Sequence, residues 1–259
     1  MNYEEILYEV KENIAKITLN RPEMRNRLSN KMMLEVVDAL EKARADDEVR
    51  VIIIIGAGDK AFCAGADIGE FKARPPLENR KLYDAYAGLC KVFVTLGKPS
   101  IAAVRGYALA GGCGLAIYPD ITIASEDAKF GTPEISVGVW PMMVSATLGR
   151  TVGRKKALEM MFTGDIIDAH EAERIGLVNK VVPTDKLEET VMELANKLKD
   201  KSPAIIKLGR DAFFAVQDME FSKAVDRLRD MIVLLLATDD SQEGVAAFLA
   251  KRKPMWKGR

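Results

Sequence analysis

Two glycine-rich turns contain the residues whose types and spacing best suit chemistry. The segment FCAGADI at residues 62–68 follows a run of β-branched residues at 51–55, and GYALAGGCG at 106–114 follows an apolar run at 100–104. Small residues let a ligand approach the backbone, and a helix that begins there offers unpaired N–H groups. Two such turns on neighbouring strands can direct two N–H groups at one oxygen atom, which is the geometry of an oxyanion hole.

The same turns also have a purely structural interpretation, because many α/β proteins use glycine-rich turns only to reverse the chain. Neither turn matches the phosphate-binding pattern GxxxxGK[ST]. The dinucleotide pattern GxGxxG is also absent, since Ile117 occupies the place of the third glycine. From the residues alone, an oxyanion hole and a simple chain reversal both remain open.

Few other residues could act as nucleophiles or metal ligands. The chain has three cysteines, at 63, 90 and 113, and one histidine, His170. The number of cysteines is odd, and no two of them have a short paired spacing. Both features argue against a disulfide framework and against a zinc site. Cys63 and Cys113 lie within the two turns without a neighbouring histidine, so we interpret them as packing residues. His170 follows Asp168, a predicted helix N-cap, and is interpreted as a surface residue.

Composition excludes several classes of protein. The 259 residues suit one large domain, or one domain with a small appendage. Lys plus Arg and Asp plus Glu both number 38, and a net charge of zero does not favour a nucleic acid partner. The longest apolar runs, at 51–55 and 231–237, fall far short of the roughly 20 residues of a membrane helix. The N-terminal segment lacks a signal-peptide pattern, so we expect a cytoplasmic protein without a membrane partner.

The hydrophobic periodicity predicts the elements that position these turns. Strands are predicted at 14–19, 51–55, 100–104, 121–124 and 177–182, and a loop at 74–76. Ser29 is the predicted N-cap of the first helix. Further helices are predicted at 82–96, 112–118 and 154–162, and then at 184–200, 203–216, 221–237 and 240–251. The pattern indicates an α/β half followed by a helical appendage.

Several segments together resemble the enoyl-CoA hydratase/isomerase (crotonase) superfamily, in family order and over essentially the whole chain. They are NRP at 20–22, AFCAGADIGEF at 61–71, GYALAGGCGLAI at 106–117, DAKFGTPEISVGVWP at 127–141, ALEMMFTGDIIDAHEAERIGLVNKVVP at 157–183 and AFLAKRKPMW near the C-terminus. The resemblance implies an α/β fold, a crotonase-like spiral of ββα repeats at 1–195, with a helical C-terminal region at 196–259 used for trimerisation. It also implies a homotrimer or a dimer of trimers, which is a hexamer.

The resemblance further implies an acyl-CoA thioester as substrate, with no metal and no separate cofactor, because coenzyme A is part of the substrate. The backbone N–H groups of Ala66 and Gly111 would hold the thioester oxygen as it becomes enolate-like. Arg25 and Arg27 would meet the phosphates of coenzyme A, although a solvated loop explains these two arginines equally well. Other implied contacts to the substrate or to coenzyme A come from Ala64, Gly65, Asp67, Ile68, Gly112, Gly114 and Trp140.

One departure from the family pattern concerns proton transfer. Hydratases of this family typically use two glutamates, and here the first position is Gly114, so only Glu134 remains as the sole acid/base. The apolar residues that follow it, up to Met142, would disfavour its ionised form, which suits proton donation and return near neutral pH. A water network, Tyr118 or nothing at all would replace the missing glutamate.

Four functional interpretations follow from the resemblance. We place hydration of a 2-enoyl-CoA or a conjugated dienoyl-CoA first, and Δ3-Δ2 enoyl-CoA isomerisation second, because isomerisation needs only one base. Hydrolysis of a CoA thioester is weakened by Met142, which stands where a second acid would be sought. A non-catalytic CoA-binding scaffold would need neither Glu134 nor an intact FCAGADI turn. Tyr83 and Tyr86 either line the acyl pocket or pack a helix, and we favour helix packing.

Overall fold

A computed structural model describes residues 3–66 and 75–259. These residues form ten strands: β1 Ile6–Lys11, β2 Ile14–Leu19, β3 Val51–Gly56, β4 Ala61–Cys63, β5 Ser100–Val104, β6 Tyr107–Leu109, β7 Ile121–Ser125, β8 Lys129–Gly131, β9 Ile166–Asp168 and β10 Lys180–Val182. The large sheet has the order β1-β2-β3-β5-β7-β10. β1 pairs antiparallel with β2, and the remaining neighbours are parallel.

Ten α-helices accompany the strands within the described residues. They are α1 Asn30–Ala45, α2 Pro76–Val94, α3 Gly111–Ile117, α4 Met142–Thr151, α5 Arg154–Thr163, α6 Ala169–Arg174, α7 Leu187–Lys199, α8 Pro203–Val216, α9 Phe221–Leu236 and α10 Asp239–Leu249. The predicted cap of the first helix is confirmed, because Ser29 Oγ accepts the Met32 N–H at 3.0 Å.

The large sheet is covered on both faces, as the continuous β-branched run of β3 predicts. Successive strand residues point to opposite faces. Val51 and Ile53 pack in a cluster with Leu187 and other residues of α7. Ile52 and its neighbours on the opposite face join the main core, which includes residues of α1, α2 and α3.

A second, smaller sheet with the order β4-β6-β8-β9 was not predicted from the sequence. β4, β6 and β8 run parallel, and β9 pairs antiparallel with β8. Each of these strands has three residues. Because β4, β6 and β8 are parallel neighbours, their carboxyl ends meet at one edge of this sheet.

Two predicted elements differ in the structure. The strand predicted at 177–182 is wrong in its first half, because the N–H groups of Leu177 and Val178 bind the Ala172 carbonyl and close α6. Only residues 180–182 reach the large sheet, where they pair with β7. The loop predicted at 74–76 is also wrong at Pro76, which begins α2. Residues 67–74 lie outside the described residues.

The C-terminal helices α8, α9 and α10 confirm the predicted helical region. Along α9 an apolar stripe is exposed, with relative exposures of 79% at Phe221 and 46% at Ile232. The predicted homotrimer would cover such a stripe, and the oligomeric state stays a prediction. The predicted domain boundary at 195/196 falls within α7 and also stays a prediction. No described helix is long and apolar enough to span a membrane.

Candidate active site

The three turns that contain the candidate site follow the carboxyl ends of three neighbouring strands in the small sheet. Ala66 lies three residues beyond β4, Gly111 lies two residues beyond β6, and Glu134 lies three residues beyond β8. The parallel pairing of these strands therefore brings together residues that are far apart in the sequence. All three line one cavity.

This cavity has a volume of about 670 Å³ and is mostly apolar. Its volume lies within the range of pockets that hold small molecules and cofactors. Glu134 is the sole carboxylate among the described residues of the wall. The apolar wall includes Leu28, Met33, Val137, Val139, Trp140, Met142 and Met143. Such a site can hold an apolar group beside one titratable oxygen pair.

Gly111 and Ala66 each leave a backbone N–H available at the cavity. Gly111 is the first residue of α3, and the preceding Ala110 supplies no side-chain cap. The N–H groups of a first helical turn have no partner within their helix. Ala66 forms a parallel bridge with Leu28, in which the Leu28 N–H binds the Gly65 carbonyl at 2.8 Å. No hydrogen bond within the described residues uses the Ala66 N–H.

The close contact between the two turns requires glycine at position 65. Gly65 has a φ of +93°, which favours glycine. A Cβ at this position would lie 2.8 Å from Ala110 Cβ and 3.6 Å from the Gly111 nitrogen. The Ala66 turn therefore packs directly beside the Gly111 amide, as two donors to a shared acceptor must.

Ala110 also has an unusual backbone conformation, with φ of +53° and ψ of −126°. Its N–H binds the Gly131 carbonyl of β8 at 2.8 Å. Positive φ in a residue with a Cβ costs energy and persists only where surrounding contacts enforce it. This conformation links the end of β6 to the start of α3 and so fixes the position of the Gly111 N–H.

Asn26 is a buried polar residue that sequence reasoning missed. Its side-chain amide donates to the carbonyls of Ala57 and Ala61, both at 2.9 Å, and its Oδ1 accepts the Arg21 N–H at 3.0 Å. It therefore ties the segment before α1 to the start of β4. The same segment pairs with the Ala66 turn, because the Ala64 N–H binds the Arg25 carbonyl at 3.0 Å. A lone asparagine in a polar segment gives no signal of this role.

Glu134 lies near the start of a short 3₁₀ helix, Pro133–Val137, that follows β8. Its Oε2 atom is buried and has no hydrogen-bond partner among the described residues. Burial raises the pKa of this carboxyl above its ordinary value, because desolvation disfavours the charged form. An unpartnered carboxyl oxygen in an apolar cavity is able to exchange a proton with a bound molecule.

Two tyrosine hydroxyls occupy the space beside Gly114. A Cβ added to Gly114 would lie 2.7 Å from Tyr118 Oη and 3.0 Å from Tyr86 Oη. The two hydroxyl oxygens are 3.3 Å apart, with Tyr118 donating to Tyr86. Burial raises the pKa of both phenols, so both are neutral near neutral pH. A larger side chain at position 114 would need this pair to move.

Comparison with known proteins agrees with this geometry. A family model described as enoyl-CoA hydratase/isomerase matches residues 9–259. The chain belongs to this family. It is 38% identical to the crotonyl-CoA hydratase of Syntrophomonas wolfei, over 98% of both chains. It is 36% identical to the 2,3-dehydroadipyl-CoA hydratase of Escherichia coli, over 98% of this chain and 99% of that protein.

Solved structures of the enoyl-CoA hydratase/isomerase family share the fold. An enoyl-CoA hydratase structure from Bacillus anthracis superposes with a TM-score of 0.94 at 32% identity, over 99% of this chain and 100% of that chain. The family resemblance and the α/β crotonase-like fold expected from the sequence are therefore confirmed.

The residues that the family resemblance singled out separate into two groups. Those on the cavity wall are Arg27, Ala64, Ala66, Gly111, Glu134 and Trp140. The other described candidates, Arg25, Gly65, Gly112 and Gly114, are not among the residues that line it. Asp67 and Ile68 lie outside the described residues. The assigned roles of all these residues stay predictions.

Gly112 and Gly114 are buried behind the wall. A Cβ on Gly112 would overlap the carbonyl oxygen of Cys63 and lie 2.8 Å from its Sγ. These two glycines therefore permit close packing, and the substrate contact that the family resemblance implies for them stays a prediction. Burial raises the pKa of Cys63 and Cys113 to about 12, which supports the interpretation of both thiols as packing groups.

The structure also shows where several other residues discussed in the sequence lie relative to the cavity and the helices. Tyr83 and Tyr86 both line the cavity, so the favoured interpretation as helix packing alone is wrong. Met142 lies on the wall where a second acid would be sought. Asp168 caps α6 by accepting the Glu171 N–H at 2.8 Å, as predicted. His170 is exposed in that helix.

Proposed function

We propose that the protein hydrates a 2-enoyl-CoA thioester, or a conjugated dienoyl-CoA, in the cavity between the three turns. The observation that carries this proposal is the convergence of Ala66, Gly111 and Glu134 on one apolar cavity. Enoyl-CoA hydratase-type function is supported by the relatives, which are named as hydratases of CoA thioesters. The acyl group is left open, because those two relatives are named for different acyl groups at similar identity.

The proposed reaction begins when water adds to C3 of the enoyl group. The electrons of the C2–C3 double bond move towards the thioester oxygen, which becomes enolate-like. The N–H groups of Ala66 and Gly111 stabilise that negative charge, and one such donor typically contributes about 10²–10³ in rate. The Glu134 carboxylate takes one proton from the attacking water and then delivers it to C2. The net result is addition of OH to C3 and H to C2.

Arg27 is proposed to bind a phosphate of coenzyme A, because it lies on the cavity wall. Contacts from Ala64, Gly65, Asp67 and Ile68 to the adenine end stay predictions. No separate cofactor or metal takes part in this scheme.

A second candidate function is isomerisation of a 3-enoyl-CoA to a 2-enoyl-CoA. Glu134 is the sole carboxylate on the described wall, and this favours a reaction that needs only one base. In this reaction Glu134 removes a proton from C2 and returns it to C4, with the same enolate held by Ala66 and Gly111.

An ultraviolet assay tests the two candidates. Purified protein is mixed with crotonyl-CoA, and the absorbance of the conjugated thioester is followed, with Glu134→Gln as the control. We expect the absorbance to fall with the parent protein and to stay constant with the variant. Absence of any fall with crotonyl-CoA and with a dienoyl-CoA would overturn hydration. A rise in absorbance from a 3-enoyl-CoA would then support isomerisation.

A further inference from the structure

The residue at position 114 is a glycine and has no side chain that could orient the attacking water in the proposed hydration. Another group must therefore orient this water. We propose that Tyr86 orients this water in place of the absent glutamate, and that Tyr118 is a positioning residue for the Tyr86 hydroxyl. This inference rests on the proposed hydration activity. It assigns to a helix α2 side chain a part of the reaction that the family assigns to the turn at position 114.

The location of the Tyr86 hydroxyl supports this assignment. It lies between two of the turn glycines, because added Cβ atoms on Gly111 and Gly114 would lie 3.2 and 3.0 Å from it. The first of these residues supplies a proposed oxyanion N–H, and the second occupies the family position of the missing acid. Tyr86 also lines the cavity and is only 9% exposed. Its hydroxyl is thus close to the place where the thioester oxygen would bind.

The hydrogen bonds of Tyr86 leave one acceptor position open. A phenolic hydroxyl has one proton and two lone pairs. The Tyr86 hydroxyl oxygen lies 3.5 Å from the Gly111 carbonyl oxygen, to which its proton can be donated, and one lone pair accepts the Tyr118 hydroxyl at 3.3 Å. The second lone pair has no partner among the described residues. It can accept the proton of a cavity water that stays with oxygen during the reaction.

Glu134 holds the other proton of the same water in this arrangement. Its unpartnered Oε2 accepts the proton that will be transferred, while Tyr86 accepts the proton that remains in the product hydroxyl. The water oxygen then bonds to C3, the C2–C3 electron pair moves onto the enolate, and the proton on Glu134 passes to C2. Tyr86 neither gains nor loses a proton. This agrees with the burial that keeps its phenol neutral.

Other polar side chains on the wall are less suited to this role. Tyr83 is 39% exposed, and Arg27 and Ser136 are also accessible to solvent. An exposed group competes with bulk water for its hydrogen bonds, whereas a buried hydroxyl with two fixed neighbours has a defined orientation. Among the polar side chains of the described wall, Tyr86 is the one that is both buried and held by two fixed neighbours.

The test separates water addition from enolate formation. One assay measures kcat and KM for hydration of crotonyl-CoA. The other measures exchange of the C2 proton of saturated butyryl-CoA in D₂O, which needs Glu134 and the oxyanion N–H groups but no attacking water. The variants are Tyr86→Phe and Tyr118→Phe. Tyr8→Phe, in β1 and away from the cavity, is the matched control.

We expect Tyr86→Phe to lower the hydration kcat by about tenfold or more, the effect of one lost hydrogen bond of about 1.4 kcal/mol. KM and the exchange rate should change by less than about twofold, since neither depends on that bond. Tyr118→Phe should lower kcat in the same direction by a smaller factor, and Tyr8→Phe should leave both assays unchanged.

Retention of the hydration kcat by Tyr86→Phe would overturn the proposal. Equal loss of hydration and exchange would also overturn it, because that result indicates a structural role. If the parent protein hydrates no enoyl-CoA, the proposed function fails and this inference fails with it. Hydration by the parent together with full hydration by Tyr86→Phe removes only the role of Tyr86.

Discussion

Gly112 and Cys63 pack so closely that a methyl group on Gly112 would overlap the carbonyl oxygen of Cys63. The same methyl group would lie 2.7 Å from the Cys63 carbonyl carbon. Cys63 ends β4, and Gly112 lies in the first turn of α3. The two turns that supply the proposed oxyanion N–H groups therefore touch backbone to backbone, with no side chain between them.

We predict that Gly112→Ala separates these turns and lowers both stability and activity. Overpacking of a tight contact typically costs about 1–3 kcal/mol, and a backbone contact has little freedom to relax. Displacement of one oxyanion donor should lower kcat by about 10²-fold. Urea unfolding and the crotonyl-CoA assay measure the two effects.

The matched control for that substitution is Gly209→Ala in α8, where a Cβ would meet nothing within 4 Å. It should be neutral or stabilising by up to about 1 kcal/mol, because alanine favours a helix more than glycine does. An unchanged kcat in Gly112→Ala would contradict the proposed dependence on close turn packing.

The pH dependence of catalysis should report on Glu134. This carboxyl must be ionised to accept the proton of water, and burial raises its pKa. We therefore expect kcat/KM to fall at acid pH with a midpoint above about 4.3, the ordinary value for glutamate. At pH values above that midpoint, Glu134→Gln should lower kcat by about 10²–10⁴-fold, and the difference from the parent should shrink below it. An acid midpoint at or below the ordinary value would contradict the effect of burial.

The stability of Glu134→Gln should also depend on pH. In the folded protein the raised pKa means that Glu134 binds its proton more tightly than in the unfolded chain. This stabilising contribution is complete below the unfolded pKa of about 4.3 and is lost as the pH rises through the folded pKa. Glutamine stays neutral, so the unfolding free energy of the variant relative to the parent should rise as the pH increases above about 4.3 and passes through the raised pKa of folded Glu134.

Urea denaturation of both proteins at several pH values measures this difference. If the difference in unfolding free energy between the two proteins stayed constant with pH, the pKa of Glu134 would be the same in the folded and unfolded states.

Gly114→Ala should be destabilising because of the buried tyrosine pair. Its new methyl group would lie 2.7 Å from Tyr118 Oη. We therefore expect the unfolding free energy to fall by about 1–3 kcal/mol. Tyr118→Phe removes that oxygen, so the double variant should lose less than the sum of the two single changes. Distances of 3.0 Å to Tyr118 Cζ and Tyr86 Oη remain, so recovery should be partial.

The control for this cycle is Gly88→Ala in α2, where a Cβ would meet nothing within 4 Å. Its effect on the unfolding free energy should add to the effect of Tyr118→Phe. Additive unfolding free energies for Gly114→Ala and Tyr118→Phe would show that the two positions do not compete for space.

The sequence predicted β2, β3, β5 and β7 of the large sheet because these strands carry strong local signals, but it did not predict β1. The β-branched run of β3 and the Ser29 cap of α1 are each signals contained within a few consecutive residues. The small sheet gave no such signal, since a strand of three residues is too short for a periodic pattern. Its strands position the site, so the sequence could name Ala66 and Gly111 as turn residues without explaining how they meet.

The roles of Tyr86 and Asn26 were even less accessible to sequence reasoning. Tyr86 lies in a helical pattern where an aromatic residue is usually part of the core. Its relation to position 114 arises only when α2 and α3 pack together, which brings the two tyrosine hydroxyls within 3.3 Å. Asn26 acts through partners 31 and 35 residues away. Tertiary contacts of this kind leave no trace in local composition.

The strand order of the large sheet has a consequence for how the molecule folds. β3 pairs with β5 and β7 pairs with β10, so each parallel partner lies tens of residues away along the chain. Chains dominated by such distant pairings have a high contact order and fold slowly, because loop closure precedes the stabilising contacts. The cavity draws its wall from residues between 27 and 144, so no short fragment can assemble it. Ligand-binding capacity should therefore appear late in refolding, together with the last cooperative phase.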